Sequence, residues 1–324
     1  MWRKGLFLQK NKKYLILSVF VVGTLLMIAA LFNDIIDPYN LMGNNPNGVY
    51  FVQERQVKDA VLTYPHEGLL LGASKTGYVN PDDLSCYRFY NASMRGMVPE
   101  EMYFYFKKYL RREKLVLVGF DFFMFNEREF PLIRIADWDD LRYSRTEYLL
   151  SVETLKSSWK TLKMRRNNEK NYGMKANGQF DYPGASEVPA SPGSQQQYEK
   201  QYQDIIKGLL QNHYDKFSFS QTRIDYVKKI KTLLEENKIP YAVFINPLNH
   251  DVLAALQNID AYLLFLNWKR EMKNIFPDIY DYSISRYSAR EGFYQEDPFH
   301  YTNATGVAFL NEIIRDLCPE GSKP

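Results

Sequence analysis

Apolar and polar positions are distributed along this chain in blocks, and the first block is the longest. Residues 14–32, YLILSVFVVGTLLMIAALF, contain no charge. As a helix this run spans roughly 29 Å, close to the ~30 Å hydrocarbon core of a bilayer. Residues 1–13 carry Arg3, Lys4, Lys10, Lys12 and Lys13 with no acid, and Asp34 and Asp37 follow the run. The asymmetry predicts a cytoplasmic tail over 1–13, an uncleaved signal anchor over 14–32, and a main body outside the cytoplasm, periplasmic or extracellular. The run is longer than the apolar part of a cleaved signal peptide and lacks a small-x-small site at its end.

After a connector over 33–65, turn-rich at Asp37-Pro-Tyr and Gly43 to Gly48 and helical near 52–61, the pattern alternates. Short unbroken apolar runs read as buried strands at Gly68-Leu-Leu-Leu-Gly, 114–119 and 240–245, with shorter ones at 87–91 and 278–283. Between them, residues 99–111, 220–237, 260–275 and 303–317 carry helical periodicity, with Pro99 in the first turn of one and Ser220 capping another. Buried strands alternating with helices predict an α/β fold, a parallel sheet flanked by helices, over residues 66–318. The alternation lapses over about 127–215, which reads as an inserted section forming one wall of the site. It holds a helix near 151–163 capped by Ser151 and a Pro/Gly/Ser/Gln-rich loop over 182–197.

Charge sharpens this division. The whole chain has 41 basic and 38 acidic residues, a net of +3. All five basic residues of 1–33 belong to the anchor, so the remainder carries 36 bases against 38 acids, a net of −2. The basic excess therefore serves membrane orientation, and no nucleic-acid partner is implied. Cys86 and Cys318 fit an exported chain, whether paired or free. No Cys/His spacing suggests zinc, no phosphate-binding glycine loop occurs, and no cofactor is implied.

Parallel sheets place chemistry at the carboxyl ends of their strands. Ser74, in Gly72-Ala73-Ser74, follows the first strand, where small neighbours leave room for a substrate. Gly96 follows the 87–91 strand in Asn91-Ala-Ser-Met-Arg-Gly96, where its amide can donate to an oxyanion. Asp297-Pro-Phe-His300 precedes the last helix, a spacing that lets a carboxylate orient an imidazole while the other ring nitrogen serves a serine.

With these three blocks the chain resembles the SGNH/GDSL hydrolase superfamily over roughly residues 66–126 and 220–317. Its anchor, the Asp37-Pro-Tyr segment and the Gly119-Phe-Asp-Phe-Phe-Met-Phe strand end make it similar, more narrowly, to the membrane-anchored members that act beside membrane-bound O-acyltransferases in envelope polysaccharide acylation. The resemblance implies Ser74 as nucleophile and amide donor, His300 as general base, Asp297 as its orienting acid and Gly96 as a second amide donor. Asp121 stands where the family offers a third donor from Asn, which a carboxylate supplies only when protonated. Asn91 and His250, the latter after the 240–245 strand, are candidate substrate contacts. The implied activity is that of a serine esterase or O-acyltransferase on O-acyl, chiefly acetyl, groups of an envelope or secreted polysaccharide. Its alternatives are a weak or inactive polysaccharide-binding protein partnering a membrane-bound O-acyltransferase, and an envelope scaffold.

Other features point less far. Asp137, Asp139 and Asp140 beside Trp138 read as a solvated acidic loop, and Lys160, Lys163, Arg165 and Arg166 as a solvated helix face. His66 and His213 have no local context. Tyr143, Tyr148, Trp159, Tyr172 and Tyr182 in the inserted section are candidates for stacking on sugars.

Overall fold

A computed structural model describes residues 2–45, 53–169, 173–181, 195–294 and 296–318. Two compact units divide the chain, one drawn from Met1–Gln56 with Arg142–Gly173, the other from Val57–Leu141 with Met174–Pro324. Residues 127–215, expected as one insertion, are thus shared between the two. The Pro/Gly-rich stretch 182–194 lies outside the described residues.

In the first unit, α1 runs unbroken over Trp2–Ile36, and its segment Lys12–Ile36 is long and apolar enough to cross a membrane. The helix ends at Asp37, which holds a positive φ of 45°. The Asp37 carboxylate accepts from the backbone N–H of Leu41, Met42 and Asn44 at 2.9–3.1 Å and from the Tyr148 hydroxyl at 2.7 Å. It thereby supplies the partners a buried turn needs. Helix α2 is Glu54–Val57, in the segment expected to be helical.

The second unit opens with β1, Gly68–Leu71, followed by α3, Ser74–Gly77; β2, Phe89–Asn91; α4, Pro99–Tyr109; and β3, Leu115–Phe120. Pro99 starts α4 without wasting an N–H, and Glu101 reaches back to the Val98 N–H at 3.1 Å. The first unit's α5, Arg145–Leu150, and α6, Val152–Arg166, come next in the chain, α6 capped by Ser151. The short strands β4, Gly173–Met174, and β5, Phe180–Asp181, precede α7, Gln195–His213. Then come α8, Gln221–Glu236, capped by Ser220; β6, Tyr241–Ile245; α9, His250–Leu256; α10, Ala261–Ile275; and β7, Tyr280–Asp281. A hairpin of β8, Phe293–Tyr294, and β9, Asp297–Tyr301, leads into α11, Asn303–Leu317.

The main sheet is parallel in every pairing, in the order β2-β1-β3-β6-β7. Counted along this sheet alone, that is the doubly wound order 2-1-3-4-5, whose direction reverses between β1 and β3. Strand alternation assigns the two faces. Leu69 and Leu71, Val116, Val118 and Phe120, and Val243 and Ile245 enter one core with α4, α8 and α10. Leu70, Leu115, Leu117, Ala242 and Phe244 enter the other, against Phe309, Leu310, Ile313 and Ile314 of α11. Both faces are dry, which is why these strands read as continuous apolar runs. Inside the first core, Arg223 of α8 and Glu100 of α4 form a fully buried ion pair, and the guanidinium also donates to Met124 and Phe130 carbonyls.

Candidate active site

Ser74 begins α3 immediately beyond β1, at the reversal point of the sheet. The turn that carries it is tight. A Cβ on Gly72 would lie 2.3 Å from Thr76 Oγ1, so only glycine lets α3 fold back onto the end of β1. Asn91, at the end of β2, braces the same turn. Its side-chain amide donates to the carbonyls of Thr76 and Val79, each at 2.9 Å, and its oxygen accepts from the Ser93 N–H. The residue is fully buried, so the substrate contact expected of Asn91 gives way to a structural one: its amide is spent on holding α3.

His300 arrives from β9, on the far side of the sequence. Its Nε2 lies 2.8 Å from Ser74 Oγ, and its Nδ1 lies 2.6 Å from Asp297 Oδ2. The local sequence explains the second contact. Asp297 Oδ1 accepts from the N–H groups of Phe299 and His300 at 3.1 and 3.3 Å, a side-chain turn in which Pro298 presets the backbone. This curls the carboxylate back under the imidazole three residues on. Burial by itself raises the Asp297 pKa, but the bond and charge of His300 and the two N–H donors outweigh it and hold the carboxyl below its ordinary value. An ionised Asp297 accepts the Nδ1–H, leaving Nε2 as the acceptor for the Ser74 hydroxyl proton. Tyr78 packs edge-on against the His300 ring at 5.0 Å.

The loop after β2 runs beside the Ser74 turn, with the Met94 N–H donating to the Gly72 carbonyl at 3.2 Å. Gly96 lies in this loop at φ +60°, and an added Cβ would press on Phe130 at 3.0 Å. Asp121, at the end of β3, has a different partner from the one its position suggested. Its Oδ1 pairs with Lys75 Nζ at 2.9 Å and its Oδ2 accepts from Asn246 Nδ2 at 2.9 Å, all in the interior. An acceptor-only carboxylate held this way is not an oxyanion donor.

That pair belongs to a network the sequence did not reveal. Tyr301 donates to Asn246 Oδ1 at 2.8 Å, and Lys75 also sits over the Phe299 ring at 4.6 Å. The chain Lys75–Asp121–Asn246–Tyr301 therefore links the residue after Ser74 to the residue after His300, through the ends of β3 and β6. Burial, with the nearby Asp121 charge adding to it, raises the Tyr301 pKa, so its phenol stays a neutral donor. His213, without context in the sequence, stacks on Phe299 at 4.7 Å and approaches Glu129.

The remaining candidates stand apart from this chain of bonds. His250 is exposed on the first turn of α9, behind its cap Asn249. His66 faces the Tyr64 carbonyl and Glu113. Asp137, Asp139 and Asp140 bond mainly to neighbouring backbone, and Asp139 pairs with Lys108. Among the proposed sugar-stacking rings, Tyr148 is buried on Asp37, Tyr143 and Trp159 are exposed, and Tyr172 and Tyr182 lie outside the described residues. Cys86 and Cys318 are disulfide-bonded. Among the described residues, no three His, Cys, Asp or Glu side chains gather as a metal site would require. No family model matches the chain, and no curated protein matches its sequence.

Proposed function

We propose that this chain is a membrane-anchored, SGNH-like serine esterase or O-acyltransferase working outside the cytoplasm on O-acyl groups of a polysaccharide. One observation carries the reading: the continuous Ser74–His300–Asp297 bond chain at 2.8 and 2.6 Å, set at the carboxyl end of β1. Ser74 Oγ attacks the ester carbonyl while its proton passes to His300 Nε2. The tetrahedral oxyanion takes N–H bonds from Ser74 and Gly96. His300 returns the proton to the departing sugar oxygen, leaving an acyl-Ser74. Water or a second sugar hydroxyl then attacks that ester, losing its proton to His300, and the Ser74–acyl bond breaks as His300 returns the proton to Ser74 Oγ. The Cys86–Cys318 bond supports an oxidising compartment, and the polybasic start supports a cytoplasmic N-terminus. An acetylated polymer and a membrane-bound O-acyltransferase partner rest on the resemblance.

The test is covalent labelling of the full chain by a fluorophosphonate. Parent protein labels at Ser74 and releases acetate from p-nitrophenyl acetate, whereas Ser74→Ala and His300→Ala do neither. Equal acetate release by all three sinks the mechanism. A second reading, a polysaccharide-binding protein with little turnover, is favoured by Asp121, whose engagement by Lys75 removes the third oxyanion donor, a loss costing about 10²–10³ in rate. Sugar binding without labelling selects it.

A further inference from the structure

Helix α6 buries the opposite face from the one a soluble helix buries. Against the rest of its unit it places Thr154, Ser158 and Thr161, each nearly inaccessible. Met164 is buried with them, but Val152, Leu155, Trp159 and Leu162 face outward, from 37% exposed at Leu155 to 68% at Trp159. At about 100° per residue these four positions fall within an arc of roughly 80°, so they form a single stripe. Lys156, Lys160 and Lys163 occupy the adjoining arc, between the stripe and the buried Met164. Leu150, at the end of α5, is also 43% exposed.

The position of the stripe identifies what covers it. Ser158 donates to Asn33 Oδ1 at 2.8 Å, Arg165 donates to the Ile36 carbonyl at 3.1 Å, and the Phe32 and Trp159 rings lie 6.3 Å apart. These contacts fix α6 to α1 where its apolar run ends. Small residues facing a spanning helix are the packing found between helices in lipid. Ile28, Leu31 and Ile35 of α1 are likewise exposed, and Phe32 beside them is the ring that meets Trp159. A tryptophan at the end of a span and a flanking row of long cationic side chains suit the headgroup level.

We infer that α6 is an interfacial helix, its Val152–Leu155–Trp159–Leu162 stripe immersed in the bilayer surface beside α1 and its lysine row directed to anionic headgroups. The unit then holds the membrane twice, by a span and by a helix lying in the interface.

The experiment uses the full chain in vesicles of phosphatidylcholine and phosphatidylglycerol, with single nitroxide labels at Leu155→Cys, Trp159→Cys and, for reference, Glu153→Cys. The native cysteines are already bonded to each other and do not label. Labels at 155 and 159 are expected to collide more with oxygen than with a water-soluble nickel chelate, and the label at 153 the reverse. Nickel-dominated collisions at 155 and 159 place the stripe in water and overturn the inference. Protection there from both reagents means a protein covers it, a second copy or a partner, and overturns it equally. The two stripe positions are read independently, so misfolding of one variant leaves the other decisive. Neither reading depends on whether Ser74 is active.

Discussion

Replacing Lys75 with methionine removes an ammonium and little else, because the two stems have similar length. It leaves the Asp121 carboxylate, 3% exposed, with Asn246 Nδ2 as its remaining side-chain donor. At 2.9 Å the pair attracts by about 6 kcal/mol for an effective dielectric of ~20. Desolvation consumes much of that in forming the pair, yet breaking it from one side strands the other charge, which costs about 3–5 kcal/mol. Asp121→Asn strands Lys75 and is expected to cost the same. The double variant strands neither, since the new Asn oxygen still accepts from Asn246, and its loss is expected below about 2 kcal/mol. The assay is urea unfolding of the full chain in micelles, followed by tryptophan fluorescence, which reports on the buried Trp138 and Trp268. With a slope of about 3 kcal/mol per molar, each single variant should lower the midpoint by about 1 M or more. The cycle then shows a large coupling between the two sites. Additivity to within about 0.5 kcal/mol would refute the reasoning, because it would mean that neither charge depends on the other.

Asp297→Asn keeps a hydrogen-bonding group but presents the wrong partner to the imidazole, and should slow Ser74 labelling by about 10⁴-fold while the chain still unfolds cooperatively in urea. The depressed Asp297 pKa gives a signed pH dependence: its contribution to stability is complete above the ordinary carboxylate value near ~3.9 and is lost as pH falls through the lower folded value. The stability gap between parent and Asp297→Ala should accordingly close on acidification, and a gap that widens would contradict the geometry. Reducing the Cys86–Cys318 bond, which closes a loop across a separation of 232 residues, should cost about 2–5 kcal/mol, read as a drop in midpoint with reductant that the Cys86→Ser/Cys318→Ser variant no longer shows. Arg223→Met leaves Glu100 buried and unpaired, and should lower stability by about 3–5 kcal/mol in the same titration.

What the chain disclosed in one dimension and what it withheld follow a physical division. Leu69 to Leu71 and Leu115 to Val118 are apolar on both faces because helices cover both faces, so a continuous run and a parallel strand are the same fact seen twice. Ser74 is legible because it follows a buried strand, and His300 because the turn at Asp297-Pro-Phe-His300, just before the last helix, is local enough to be read from spacing. Helix α7 is hidden by what precedes it: Tyr202, Ile206 and Leu210 fall at helical spacing, but Gln195 to Gln197 continue a Pro/Gly/Ser-rich stretch that reads as a polar loop. The Lys75–Asp121–Asn246–Tyr301 network has no sequence signature at all. Its members lie on four elements, and only the strand order brings β1, β3 and β6 side by side. The same logic explains α6. Its heptad-like spacing announces a helix, but spacing alone assigns the apolar stripe to a protein core. Only the contacts of Ser158 and Arg165 with the end of α1 show that the polar side is the one packed. A hydrophobic pattern states that a face must leave water. Which medium receives it, protein or lipid, is decided by what lies next to it in space.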